Sequence, residues 1–307
     1  MERVHPTSIV DRNAELAEDV VVGPFCHVHG GVRIGAGTRL MSHVVVMGNT
    51  TLGASNVIHP FAVIGGEAQV RKRSHDSRTP SEPPAAHAGP AAHAGPAAHA
   101  GPAAHGAHAA HGAHAAPAVT ACRQALEIGD SNVFREGVTV NTSSGEGVTR
   151  IGSNNLFMAG CHVAHDVVIG SFCVVANGVQ LAGHVEIEDW VTFGGLAAVA
   201  QHLRVGEGAF VAAGAMCERD VPPFVIAQGD RARVRAINVV GLERRGVPPE
   251  SIAALRRVFP RVWGARSTSF DESLRALDRS DPWVALLASW LEDPARSVRA
   301  VRRSPTR

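Results

Sequence analysis

The chain has no tyrosine, and only four tryptophans and ten phenylalanines in 307 residues. Such a composition cannot build an aromatic-rich interior, so burial has to come from thin aliphatic layers. No apolar run reaches the roughly 18 residues of a membrane-spanning helix, and Met1-Glu2-Arg3-Val4-His5-Pro6 carries no apolar signal core. Neither a membrane span nor export is expected. There is no excess of either charge: 29 Lys and Arg stand against 28 Asp and Glu. Nothing therefore draws the whole molecule toward nucleic acid or an anionic membrane, and any anion site has to be local. The five cysteines, Cys26, Cys122, Cys161, Cys173 and Cys217, are odd in number and show no CxxC spacing. Packed, reduced thiols and a cytoplasmic location are the expectation.

What the chain does have is a beat. Aliphatic residues recur at every sixth position at Val10, Leu16, Val22, Val28, Ile34, Leu40, Val46, Leu52, Ile58 and Ile64. The beat resumes at Ile128, Phe134 and Val140, then runs from Ile151 to Val211. A period of six fits neither a helix nor a long strand, but it fits a short strand plus a corner with one residue always pointing inward. Three such sides close a triangular coil of parallel strands. Roughly eight coils, each rising about 4.8 Å, would give a rod of about 40 Å.

Two interruptions must be loops thrown outward, because the beat is intact on either side. One lies between Val140 and Ile151. The other lies between Ile64 and Ile128, and its Ala-Ala-His-Ala-Gly-Pro repeats contain no large apolar residue. Residues from about 73 to 121 are expected to be a disordered low-complexity insert. Its histidines, His87 to His114, also invite a metal-storage reading. The rod is expected to occupy residues 1–230, with strand pairing stopping near Val221-Pro222-Pro223. A helical domain is expected over 231–307, with an apolar stripe Val234, Ile237 and Val240 to Leu242 ending at Gly246. Further helices are expected from Pro249 through Trp263, at Asp271–Leu277 and at Pro282–Leu291.

Chemistry concentrates in Gly160-Cys161-His162-Val163-Ala164-His165-Asp166. Val163 is inward, so His165 and Asp166 fall on a corner, where a carboxylate can fix the tautomer of an imidazole acting as general base. Residues 18 apart stack vertically in a three-sided coil. One column is then His165, Gly183, Gln201, and its neighbour is Asp166, His184, His202. A glycine beside the base admits a carbonyl close to the main chain, as an oxyanion donor requires. No Ser or Cys nucleophile occupies these corners, which leaves direct attack by a substrate hydroxyl or amine on an acyl carbonyl. Zinc held by the three histidines and Asp166 is the competing reading, and no metal is expected.

Several ordered motifs go further. His5-Pro6-Thr7, Ile34-Gly35-Ala36-Gly37-Thr38, Ser42-His43-Val44-Val45-Val46, Val163-Ala164-His165-Asp166 and Leu181-Ala182-Gly183-His184-Val185 are five of them. Asp220-Val221-Pro222-Pro223-Phe224-Val225-Ile226-Ala227-Gln228-Gly229 and Gly241-Leu242-Glu243-Arg244-Arg245-Gly246 complete the set. Together they resemble the acyl-[acyl-carrier-protein]:UDP-N-acetylglucosamine O-acyltransferases that open lipid A biosynthesis. The resemblance implies a left-handed parallel β-helix of hexapeptide repeats followed by a small α-helical domain. It also implies a homotrimer with active sites in the clefts between subunits, working in the cytoplasm. No cofactor is implied; the phosphopantetheine thioester of acyl carrier protein is the co-substrate, and a UDP-amino sugar the acceptor. Carried over, His165 is the base, Asp166 its orienter and Gly183 the oxyanion donor. Gln69, Lys72, His162, His184 and Gln201 are implied contacts to sugar or acyl group, Asn238, Arg244 and Arg245 to the nucleotide and diphosphate, and Ala213 an acyl-length position.

The chain departs from the family pattern at Ala200, usually His, at His202, commonly aromatic, and at Val240, commonly Glu. Val70 and Asn141-Thr142-Ser143 depart as well. Two alternatives stay open on sequence: an acetyl-CoA-dependent hexapeptide acetyltransferase, and a trimeric scaffold without catalysis.

Overall fold

A computed structural model of the protein describes residues 3–70, 124–264 and 270–294. The His-rich insert, Lys72, Cys122 and the basic tail from Ala295 lie outside the described residues. Among the described residues the strands form three sheets, of nine, eight and ten strands, as the three faces of a left-handed parallel β-helix. The register is the predicted one: His162 pairs with Gln180 and Gln180 with Ala198, a step of 18 residues per turn.

Most sides contribute a strand of only two residues, because the triangle must turn again after each. The second residue is the six-beat aliphatic and points inward, as Val163, Leu181 and Val199 do. The position two before it is buried as well. Cys161, Val179, Ala197, Asn56, Asn132 and Asn155 occupy it, all at most 2 % exposed. The core thus takes two residues of every six. The second column escaped sequence reading because small and polar types share it with valine. Its asparagines are satisfied by a ladder: Asn132 N–H and side chain both donate to Asn56 Oδ1, and Asn132 Oδ1 accepts from Asn155 N–H. Phe134 and Phe157 stack in the interior with centroids 4.8 Å apart.

The outer faces differ. On the second sheet Glu15–Arg33, Glu127–Arg150 and Glu186–Arg204 form cross-strand ion pairs. The corresponding column of the third sheet is Val57, Val133, Leu156, Val174, Phe210 and Ile226, with Arg39 and Thr192 as polar members.

The prolines do not end the pairing. Pro222 and Pro223 fall in a corner, where no ladder donor is lost, and Val225–Gln228 adds a further parallel strand to the third sheet. Arg233–Ile237, expected as the start of a helix, is a strand antiparallel to Val225–Gln228. The turn at Gly229-Asp230 folds it back, and Val234 and Ile237 are buried in the sheet. Helices follow at α1 (Val239–Arg244), α2 (Pro249–Trp263), α3 (Phe270–Arg275) and α4 (Pro282–Glu292), close to expectation. Gly246, at φ +72°, stops α1 as predicted.

Candidate active site

The His165-Asp166 corner joins the first sheet, through His162–Val163, to the second, through Val168–Ile169. Asp166, His184 and His202 each have φ near +60°, a left-handed conformation that side chains other than glycine adopt at some cost. Hydrogen bonds between coils hold it: His184 N–H donates to His165 O, and His202 N–H to Gly183 O, each at 3.1 Å. The two columns read from spacing are therefore the two columns observed.

His165 Nδ1 lies 2.8 Å from Asp166 Oδ2, with both side chains largely buried. Asp166 is in turn held from the outward loop between Val140 and Ile151. Ser144 donates to Oδ2 from its hydroxyl at 2.6 Å and its backbone N–H at 3.1 Å, and Asp166 N–H donates to Thr149 Oγ1 at 2.8 Å. Burial alone would raise the carboxyl. Hydrogen bonds from the Ser144 hydroxyl, from His165 and from the Ser144 N–H, with His184 nearby, outweigh it and hold Asp166 below the ordinary carboxylate range. In the neutral imidazole, an ionised carboxylate at Nδ1 places the proton there and leaves Nε2 its lone pair. His165, Asp166 and His184 bring three donor atoms within 4.8 Å of one another, but Asp166 Oδ2 already faces three proton donors, so its lone pairs are taken.

His165 lies directly over Gly183. A Cβ there would stand 2.6 Å from His165 Cε1 and 2.9 Å from Nε2. Among the described residues nothing accepts the Gly183 N–H, whereas its carbonyl is used. Beside this pair runs a groove of about 470 Å³ along the first sheet. Gln69, His162, His165 and Gly183 line one end; Ala164, Ala182 and Ala200 form a smooth apolar side; Met216 stands at the far end. From the His162 rung to the Met216 rung is three steps of about 4.8 Å. His162 Nδ1 bonds Thr139 Oγ1 at 2.8 Å, and burial, then the neighbouring His165, lower its imidazole pKa.

The remaining predicted residues are placed elsewhere. His184 is half-exposed and stacks on His202 with centroids 4.5 Å apart, outside the lining. Burial, with His202 and His165 adding and Asp166 opposing, pulls its pKa down. Gln201 is exposed on its corner. Ala213 is exposed on the corner between the third and first sheets and does not line the groove of one chain. Asn238 caps α1: its Oδ1 accepts from Gly241 N–H and its Nδ2 donates to Gly208 O. Arg244 is exposed. Arg245 is committed inside the protein, paired with Glu207, its guanidinium 5.2 Å from the ring centroids of both Trp190 and Trp283. Sequence reading missed Ser144, Thr149, Thr139 and this clamp. The one available signal was that the off-beat loop occupies the His-Asp corner one coil earlier.

Residues 220–299 match the family pattern described as UDP N-acetylglucosamine O-acyltransferase, domain 2. Residues 13–48, 31–66 and 149–183 match the bacterial transferase hexapeptide, six repeats. LpxA from Acinetobacter baumannii is similar at 30% identity and a TM-score of 0.75, over 98% of this chain and 100% of that one. UDP-N-acetylglucosamine O-acyltransferase (LpxA) from Moraxella catarrhalis RH4 is similar at 29% identity and 0.75, with the same coverage. The Arabidopsis UDP-N-acetylglucosamine acyltransferase reaches 27% and 0.73, again over 98% and 100%. Matched over its whole length by proteins of one kind, and carrying that kind's own C-terminal pattern, the chain belongs to the UDP-N-acetylglucosamine O-acyltransferase family and is an acyltransferase.

Proposed function

We propose that the protein transfers an acyl group from an acyl-carrier-protein thioester to the 3-position of UDP-N-acetylglucosamine, the opening step of lipid A biosynthesis. The observation that carries this reading is the imidazole of His165. Its Nδ1 is bound to Asp166 at 2.8 Å, while the ring lies over Gly183 at the head of an apolar groove. His165 Nε2 takes the proton of the sugar 3-hydroxyl as that oxygen attacks the thioester carbonyl. The Gly183 N–H donates a hydrogen bond to the developing oxyanion. Collapse expels the phosphopantetheine sulfur, which recovers the proton from His165. The groove receives the acyl chain, with Gln69 and His162 at its head. No metal takes part, and Asp166 acts by orienting His165 and stabilising its protonated form.

The nucleotide is assigned to Arg244 rather than Arg245, whose guanidinium is already engaged. Because α1 contributes nothing to the lining of the groove in the same chain, the site is completed by a second copy in a homotrimer. The apolar outer column of the third sheet, set against the ion-pair ladder of the second, supports that packing. Four buried free thiols, Cys26, Cys161, Cys173 and Cys217, support a reducing cytoplasm. Among the described residues no helix is long and apolar enough to cross a membrane.

Thioester release with acyl carrier protein and UDP-N-acetylglucosamine tests the reading. His165→Ala should lower turnover by about 10²–10⁴. Turnover with acetyl-CoA alone, or an active His165→Ala enzyme, would overturn it.

A further inference from the structure

We infer that Ser144 is a positioning residue of the acyl-transfer site, directing the Asp166 carboxylate to His165 and away from His184. The inference rests on the reading of His165 as the base, and adds a residue outside the hexapeptide rhythm to it.

One oxygen, Asp166 Oδ2, lies between two imidazoles. His165 Nδ1 is 2.8 Å away, and His184 Nε2 is 3.7 Å away on the coil above. The two rings are near perpendicular, with centroids 5.2 Å apart, so a small turn of the carboxylate exchanges one partner for the other. The hexapeptide columns do not decide between them, since both histidines belong to the same corner stack. Ser144 does, because its hydroxyl and N–H reach Oδ2 from the coil below, on the side opposite His184. Gly147 leaves room for the other oxygen: a Cβ there would come within 3.0 Å of Asp166 Oδ1. Ser144 is itself fixed through the adjoining residues. Ser143 Oγ donates to Gly147 O and accepts from Ala125 N–H, and Thr142 N–H donates to Gly66 O. The same short segment therefore ties Asp166 to the chain that leads to Gln69 at the head of the groove.

With the hydroxyl removed, two consequences should follow together. Asp166 swings toward His184, so less of the enzyme holds His165 in the tautomer that leaves Nε2 free. The Ser144 N–H survives, so the loss is partial.

The test compares Ser144→Ala, Ser144→Thr and His165→Ala, each in the full-length protein. In thioester release, Ser144→Ala should lower kcat about tenfold with KM for UDP-N-acetylglucosamine nearly unchanged, the scale of one hydrogen bond to a charged group. Ser144→Thr keeps the hydroxyl and should recover most of that loss. Histidine NMR titration supplies the second reading: in Ser144→Ala the His184 midpoint should move upward by at least about 0.5 pH unit, as an approaching carboxylate requires. A folded Ser144→Ala enzyme with wild-type kcat, or with an unmoved His184 titration, overturns the inference. So does a Ser144→Thr enzyme as slow as Ser144→Ala. If His165→Ala is itself active, the reading of the base has failed instead. Should Ser144→Ala not fold, Ser144→Gly, which keeps the N–H and removes the hydroxyl, takes its place with the same expected and overturning results.

Discussion

Adding a single methyl group at Gly183 should separate catalysis from folding. The Gly183 backbone is not in the left-handed region, so alanine is admissible for the main chain, and the stability loss should stay within that of one hydrogen bond to a charged group, about 1.5–3 kcal/mol. The ring above is another matter. The new Cβ would stand 2.6 Å from His165 Cε1, against an ordinary carbon contact of about 3.5–4.0 Å. The imidazole has to withdraw by roughly 1 Å. It cannot do so and keep its 2.8 Å bond to Asp166. A misplacement of that size at a reacting group costs on the order of 10² in rate. The Gly183 N–H is retained in the alanine variant, so the loss reports the base and the space for the carbonyl, not the donor. Thioester release with the acyl-carrier-protein substrate, run beside thermal unfolding, measures both quantities. Turnover within about threefold of wild type, a difference under 1 kcal/mol in barrier, would refute the placement of His165 over Gly183.

Four further outcomes are expected. Arg245→Ala, which strips Glu207 of its partner and empties the space between Trp190 and Trp283, should lower unfolding free energy by about 2 kcal/mol, a buried-pair value discounted for partial exposure. Arg244→Ala should leave stability within about 0.5 kcal/mol and instead raise KM for the nucleotide sugar; the opposite division would exchange their roles. Because the folded-state pKa of Asp166 is depressed, its contribution is present above the unfolded carboxylate value near 3.9 and is lost as pH falls through the lower folded value. Urea midpoints of Asp166→Asn and wild type should therefore differ at pH 7 and converge as pH falls through the lowered folded value; a gap that persists would count against the hydrogen-bonded carboxylate. Deleting residues 84–117 should change stability by less than about 1 kcal/mol, since closure entropy grows only with the logarithm of loop length. Turnover should persist, and loss of either would refute the linker reading.

The parts of the site legible in the sequence were those obeying the coil. His165, Gly183 and Gln201 could be stacked by adding 18, because every rung between them is complete. Ser144 could not, because the loop that carries it breaks the count and its contacts depend on how that loop folds back. The surroundings of Arg245 were illegible for a similar reason: Trp190 and Trp283 meet it from distant parts of the chain. The strand Arg233–Ile237 was hidden by Val234 and Ile237, whose spacing of three suits a helix as well as a bulged strand.

A column of parallel rungs has no internal reason to stop, since each exposed edge offers the same donors and acceptors as the one before. In the third sheet the hairpin from Val225 to Ile237 supplies a terminus by reversing chain direction. A neighbouring molecule approaching that edge meets a backward-running strand with arginines at 233 and 235, a poor template for continuing the stack. Capping that edge disfavours end-to-end fibres relative to closed assemblies.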